Sequence, residues 1–206
     1  MTINRIILHY LGPGSGAQFR SAAEAVATVR RWHQAAPHRY RDIGYHRVIA
    51  QDGSRAQGRP DAEMGAHALG ANEDSIGILA CLGTGDKSIP QPLLDSLARE
   101  IRQVADEYGI PLDRKHVIGH KDVPGEGGQT ACPGQLYPLI PKLIEMAKGG
   151  VGGDAVTVRL NGKPFAEGRI FEGQTYVPVR AVASAFGLKT TWDSKTKVVD
   201  LTGGSK

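Results

Sequence analysis

Cysteine is scarce in this 206-residue chain, with only Cys81 and Cys132 present. Two thiols cannot build a disulfide framework, so a packed core has to hold the fold. Aromatic residues make up 6% of the chain, and no basic run is interleaved with them. That speaks against the stacking platforms of nucleic-acid binders, and no nucleic-acid partner is expected. No apolar run approaches the ~18 residues of a membrane-spanning helix, so no membrane span is expected. The opening stretch MTINRIILHYLGPGSG has too short an apolar run for a secretory signal. The product is therefore expected to be made in the cytoplasm without a signal peptide. Neither sign of charge dominates. The net charge is +4, and most of the excess lies late in the chain. Residues 154–206 carry 8 Lys+Arg against 5 Asp+Glu, whereas residues 1–153 carry 17 against 16. A basic C-terminal part suits an anionic polymer.

What is present is an interleaving of strand and helix patterns. RIILHY is short, apolar and β-branched, and predicts a strand that ends at His9. Ser21 and Glu24 form an S-x-x-E capping box, and the helix after it turns Val26, Val29 and His33 to one face. GYHRVIAQDGSRAQGR alternates around Asp52-Gly53 and predicts a two-residue hairpin. SIGILACLG predicts a strand buried on both faces, with Cys81 as a small core hydrophobe. Pro92 opens a helix whose apolar face is Leu93, Leu97, Ile101, Val104 and Tyr108, and Gly109 stops it. HVIGH predicts a short strand ending at His120. QLYPLIPKLIEMAK predicts a last helix interrupted at Pro138 or Pro141. This order predicts an α/β fold, a mixed central sheet flanked by helices, over residues 1–147.

Residues 148–154, KGGVGGD, predict a Gly-rich linker. Residues 155–206 then change character. They show an Asn161-Gly162 hairpin, a short helix closed by Gly187 and a closing hairpin around Ser194-Lys195. A second, small α+β domain is expected there. It contains no His and no Cys.

The chemistry-bearing residues are His9, His120 and Cys132. Each lies at a predicted strand end or on the loop beside one, where open α/β sheets place ligands and catalytic groups. Two imidazoles and a thiolate suit Zn²⁺, and three protein ligands leave a position for water. Spacing alone leaves the bland alternative open, since a histidine at a strand end is commonly a hydrogen-bonded surface residue.

Three stretches add a family resemblance. They are RWHQAAPHRYRDIGYH, GYHRVIAQDGSRAQGRPDAEMGAHALGANEDSIGI and VIGHKDVPGEGGQTACPG. Together they resemble the zinc amidases that include phage amidase-type lysozymes and peptidoglycan recognition proteins. The resemblance spans residues 3–147 and keeps the family's motif order. It implies an N-acetylmuramoyl-L-alanine amidase with one Zn²⁺ per chain, acting on bacterial peptidoglycan. It places the zinc ligands on His9, His120 and Cys132 and the active-site tyrosine on Tyr45. Thr130 falls at the position two before the cysteine, and His67 at one lining the substrate groove. Glu126, on the same loop as Cys132, matches no family motif. His46 and His33 read as structural, and Asn72 as the holder of a turn. The segment VRLNGKPF…TYVPVRAVASAFGLKTTWDSKTKVVDL resembles the stalk-type domain of copper amine oxidases and implies a module that associates with the cell wall, where its excess positive charge suits anionic wall polymers. A passive spacer or a dimerising domain is the alternative for it.

The expected protein is a phage-type endolysin that reaches the wall after holin-mediated release. Three alternatives remain at this level: a non-cleaving peptidoglycan-binding protein, a host autolysin, and a nucleic-acid-binding regulator favoured only by the basic charge.

Overall fold

The computed structural model describes residues 2–125, 129–149, 155–171, 174–193, 196 and 198–203. Glu126, Gly127, Gly128, most of the expected linker and the Ser194-Lys195 turn lie outside the described residues. Two compact units divide between Val151 and Gly152.

The first unit is built on a five-stranded sheet in the order β3-β2-β4-β1-β5. Its strands are β1 (Arg5–Gly12), β2 (Arg47–Ile49), β3 (Arg55–Gln57), β4 (Ser75–Gly83) and β5 (Val117–Gly119). All pairings are parallel except β2 with β3, so the sheet is mixed, as expected. All nine residues of β4 are buried, which is why it reads as a continuous apolar run. Its alternate residues serve opposite faces. Ile76, Ile78, Ala80 and Leu82 join Ile6 and Leu8 of β1 under α2 (Gln91–Tyr108) and α3 (Ile140–Lys148). Leu79 and Cys81 pack with Val26 and Val29 of α1 (Ala22–Gln34) on the other face. Cys81 is a free, fully buried thiol, as expected of a core hydrophobe. Each fully buried Leu or Ile here contributes ~1.5–3 kcal/mol of transfer free energy.

Local signals account for the helix ends. The Ser21 side chain accepts from the Glu24 N–H at 3.3 Å and caps α1. The reciprocal bond departs from the expected box, because the Glu24 carboxylate takes the Arg20 N–H at 2.9 Å. Gly109 ends α2 with φ 67°, a left-handed conformation that glycine adopts without steric cost. Pro138 lies in a 3₁₀ stretch (Gly134–Leu139), and Pro141 sits in the first turn of α3, where its missing N–H costs nothing.

Three expectations change. The hairpin at Asp52-Gly53 has a longer loop than two residues, since Ile49 pairs with Arg55. The Asp52 carboxylate takes the Ser54 N–H and hydroxyl, and the Gly53 N–H bonds to the Ala50 carbonyl, so an Asx-type turn replaces the tight one. β1 does not end at His9. It runs on to Gly12, paired with β4 through an irregularity between Tyr10 and Gly12. β5 stops at Gly119, and His120 opens a 3₁₀ turn (His120–Asp122).

The second unit holds a three-stranded antiparallel sheet of β6 (Ala155–Leu160), β7 (Lys163–Phe171) and β8 (Gln174–Tyr176). It also holds a short helix α4 (Val179–Ala185) and a hairpin of β9 (Leu188–Asp193) and β10 (Val198–Gly203). Asn161 and Gly162 turn β6 into β7 with φ 52° and 78°, the left-handed pair that an Asn-Gly hairpin uses.

Candidate metal centre

His9 lies on β1 two residues after Ile7, on the face opposite Leu8, and is 1% exposed. His120 stands at the start of the turn leaving β5, the strand that pairs with β1 through Leu8 and Gly119. Cys132 comes back to them on the following loop, whose Lys121 N–H bonds to the Cys132 carbonyl at 2.9 Å. One ligand atom from each of His9, His120 and Cys132 lies within 4.8 Å of the others. The sulfur of Cys132 is 3.6 Å from His9 Nδ1. The three residues that the sequence separates by up to 123 positions are therefore brought together.

The donor set fits Zn²⁺. Burial, and then the neighbouring His67, His120 and His46, holds the His9 imidazole well below its ordinary pKa. Burial lowers His120 as well. Both rings are thus neutral and keep a lone pair for a metal. Burial pushes the Cys132 thiol up to about 12, with the Tyr10 backbone N–H opposing it only in part. A thiol buried in that way becomes a ligand when a cation displaces its proton.

The loop itself is braced by Asp122. Its carboxylate takes the Gly119 N–H at 2.9 Å, the Arg114 guanidinium at 3.0 Å and the Tyr137 hydroxyl at 2.6 Å. Gly119 must be glycine, because a Cβ there would meet Pro133 Cδ at 2.6 Å. Burial by itself would raise the Asp122 pKa, but the bonds from Tyr137, Gly119 and Arg114 outweigh it and hold the carboxyl below its usual range. Asp122→Ala leaves the Gly119 N–H and the Tyr137 hydroxyl unpaired, and is expected to cost about 2–3 kcal/mol. A group with a lowered folded pKa stabilises fully above its unfolded value of about 3.9 and loses that contribution as pH falls below it. Urea unfolding of both proteins should show a difference that is flat from neutrality to about pH 5 and shrinks in more acid. A difference that stayed constant into strong acid would remove the ionised carboxylate from this account.

Tyr45 is half-buried just before β2, with its ring centroid 5.0 Å from that of His9. Burial, with Cys132 and Tyr40 beside it, raises the phenol above its ordinary pKa. It stays protonated, and its O–H finds no acceptor among the described residues. Thr130 is partly exposed, and its Oγ1 accepts from the Cys132 N–H at 3.1 Å, so it also shapes the ligand's own turn.

His33 and His46 each hold backbone in place. His33 Nδ1 accepts from the Gly44 N–H at 2.9 Å, which holds the backbone next to Tyr45. Burial, then His38 and Arg59, keeps His33 neutral with a pKa of about 4. His46 joins the Gly77 N–H to the Glu63 carbonyl, each at 3.0 Å. Asn72 holds its turn through a side-chain oxygen that takes the N–H groups of His67 and Ala68.

His67 is turned inward more than the sequence reading implied. It is 8% exposed, and its Nδ1 lies 3.0 Å from His9 Nε2. The signal that its ring goes inward is two glycines, Gly65 and Gly77, where a Cβ would meet the His67 ring at 2.5 Å. Neither glycine stands out in the sequence: Gly65 is two residues from His67 and Gly77 ten, and only the fold shows that a side chain at either would meet the ring.

Known proteins resemble both parts of the chain. Residues 1–135 match the N-acetylmuramoyl-L-alanine amidase family, and residues 154–206 match the copper amine oxidase N-terminal domain. The endolysin of Escherichia phage T7 is 39% identical over 105 residues, 48% of this chain and 68% of that protein. Peptidoglycan-recognition protein SD of Drosophila simulans is 27% identical over 137 residues, 66% of this chain and 70% of that protein. Among solved structures, N-acetylmuramoyl-L-alanine amidase LysC from Clostridium intestinale superposes with a TM-score of 0.56 at 26% identity. That match covers 73% of this chain and 87% of LysC. With the family match spanning well over half of its length, this chain belongs to the N-acetylmuramoyl-L-alanine amidase family.

Proposed function

We propose that the protein hydrolyses the amide joining the lactyl group of N-acetylmuramic acid to L-alanine in bacterial peptidoglycan, with one Zn²⁺ held by His9, His120 and Cys132. The observation that carries this reading is the convergence of those three ligand atoms within 4.8 Å. When bound, zinc supplies Lewis acidity, polarising the scissile carbonyl and lowering the pKa of water. In the reaction a water oxygen adds to the carbonyl carbon, the C–N bond breaks, and the departing α-amine of L-alanine takes a proton. The Tyr45 hydroxyl stays protonated at neutral pH and donates to the oxygen that gains charge. Thr130 already accepts one hydrogen bond, and its O–H is left to donate a second. Thr130 cannot act as a cationic acid, which makes it the smaller contributor. Digestion of defined muropeptides, read by mass with and without chelator, tests the reading. New L-alanine amino termini that vanish with chelator are the expected product, and binding without cleavage would overturn it.

The second unit is read as the wall-associating part, with anionic wall polymers as its partner. Its excess positive charge supports this. So does a groove of about 290 Å³ lined by Val179, Arg180, Thr190, Thr191, Trp192 and Val199. Trp192 is 55% exposed, an unusual place for a large apolar ring. An indole beside an arginine and a threonine suits a sugar-phosphate chain. Among the described residues no helix is long and apolar enough to cross a membrane. Release through a holin is the route proposed to the wall.

A chain ending at Lys148 should cleave soluble muropeptides at nearly the full-length rate, because every proposed ligand precedes that point. Against intact walls it should be slower, since tethering raises the local concentration of the hydrolase on a polymer. The full-length advantage should shrink as salt rises, because screening weakens exposed charge pairs. Equal lysis of whole walls at low salt would favour a spacer or dimerising role for the second unit.

A further inference from the structure

We infer that His67 is a positioning residue for the metal centre: it accepts the Nε2 proton of His9 and so holds His9 with Nδ1 as the donor facing His120 and Cys132. The inference rests on the zinc reading above. His9 has two ring nitrogens with different neighbours. Nδ1 is 3.6 Å from the Cys132 sulfur, and Nε2 is 3.0 Å from His67 Nδ1. A neutral imidazole carries one proton. If Nδ1 is to offer its lone pair to a metal, the proton must sit on Nε2. His67 Nδ1 must then accept it, and the proton of His67 must sit on its own Nε2. The opposite arrangement turns a His9 N–H towards the Cys132 sulfur and closes the site to a cation.

The surroundings of His67 point to the same role. Its ring makes one hydrogen bond among the described residues, the one to His9. Among the described residues its Nε2 is buried with no partner. Its placement is instead enforced by shape and by backbone. Gly77 lies opposite Ile7 in the β1–β4 register, and Leu79 lies opposite His9. The absence of a side chain at Gly77 therefore opens a slot on the face that carries His9, and the His67 ring fills it. Gly65 gives way to the same ring, where a Cβ would likewise meet His67 Cδ2 at 2.5 Å. The His67 and Ala68 N–H groups both bond to Asn72 Oδ1, at 2.8 and 2.9 Å, and fix the backbone from which the ring projects. A ring with one bond, seated in a slot cut by two glycines, is placed to serve the bond it makes. Partners that orient a ligating histidine in this way typically support metal affinity by about 10–100-fold.

The test uses the full chain and Zn²⁺ alone. His67→Asn presents a side-chain oxygen near the place of Nδ1, whereas His67→Leu fills similar space and accepts nothing. Zinc affinity, measured by competition with a chromophoric chelator, should fall about 10–100-fold in His67→Leu and stay near the parent value in His67→Asn. Thermal unfolding of the metal-free forms reports whether the two variants fold alike. Equal affinity in His67→Leu and parent, or equal loss in both variants, would overturn the inference. The tautomers can also be read without any substitution, from long-range ¹⁵N–¹H spectra of the zinc-loaded parent. His67 should carry its proton on Nε2, with Nδ1 free of hydrogen, and a proton on His67 Nδ1 would overturn the assignment. A parent chain that binds no zinc in the same titration is a different result, and counts against the proposed function itself.

Discussion

Cys132→Ser should give a folded protein that no longer keeps zinc. The thiol is 7% exposed, and its sulfur is 3.6 Å from His9 Nδ1. A serine hydroxyl in the same place is a weak ligand that does not ionise near neutral pH, so the site keeps two imidazoles and loses its anionic donor. The loss in affinity should exceed the roughly 10–100-fold seen when only a ligand's supporting partner is removed. Zinc content after dialysis against a competing chelator measures it, and muropeptide cleavage should fall in parallel. The pH dependence of loading in the parent has a definite sign. Burial holds the thiol proton up to about 12 while no cation is present, so binding zinc must release that proton. Affinity should therefore rise with pH and weaken on acidification. The His9 and His120 rings add little to that trend near neutrality, because burial keeps both neutral there. Stoichiometric zinc at unchanged affinity in Cys132→Ser would remove Cys132 from the centre.

The second large effect is expected at Tyr45, and it separates chemistry from metal binding. Tyr45→Phe should retain zinc and stability, yet turn over about 10²–10³-fold more slowly, the usual cost of one oxyanion donor. The ring remains to pack against His9 and His33, whose centroids lie 5.0 and 5.4 Å away, so only the hydroxyl is lost. Because burial raises the phenol's pKa above its ordinary value, the hydroxyl does not ionise in the working range. The alkaline limb of the rate profile should therefore not come from Tyr45. Thr130→Ala should cost less, and part of that cost should appear in zinc retention, since Thr130 Oγ1 holds the Cys132 N–H. Full activity in Tyr45→Phe would show that the hydroxyl has no part in the transition state.

Periodicity and punctuation carried the first unit a long way. The nine-residue apolar run of β4, the α2 stripe with Gly109 after it, and the Ser21 cap are local features, and local features survive into the structure. The register of β1 beyond His9 did not show, because Gly12 pairs with Gly83 across 71 positions and nothing near Gly12 says so. The five-residue loop at Asp52 was hidden behind an Asp-Gly dipeptide that serves more than one turn. Nothing in the sequence marks Asp122, whose place follows only from the convergence of Gly119, Arg114 and Tyr137 on its carboxylate.

By itself the sequence determined the α/β order of the first unit, the separate character of the second, and the identity of the residues able to hold a metal. The first two follow from backbone periodicity and turn chemistry, which are written in neighbouring positions; the third follows from the family resemblance, which places the ligands on His9, His120 and Cys132. The tertiary structure alone decided which nitrogen of His9 faces Cys132 and that the His67 ring lies against His9. Both depend on the pairing of Ile7 with Gly77, which opens a slot for an imidazole beside β1. A missing side chain has meaning only against what packs where it would have been, and that neighbour is set by the fold.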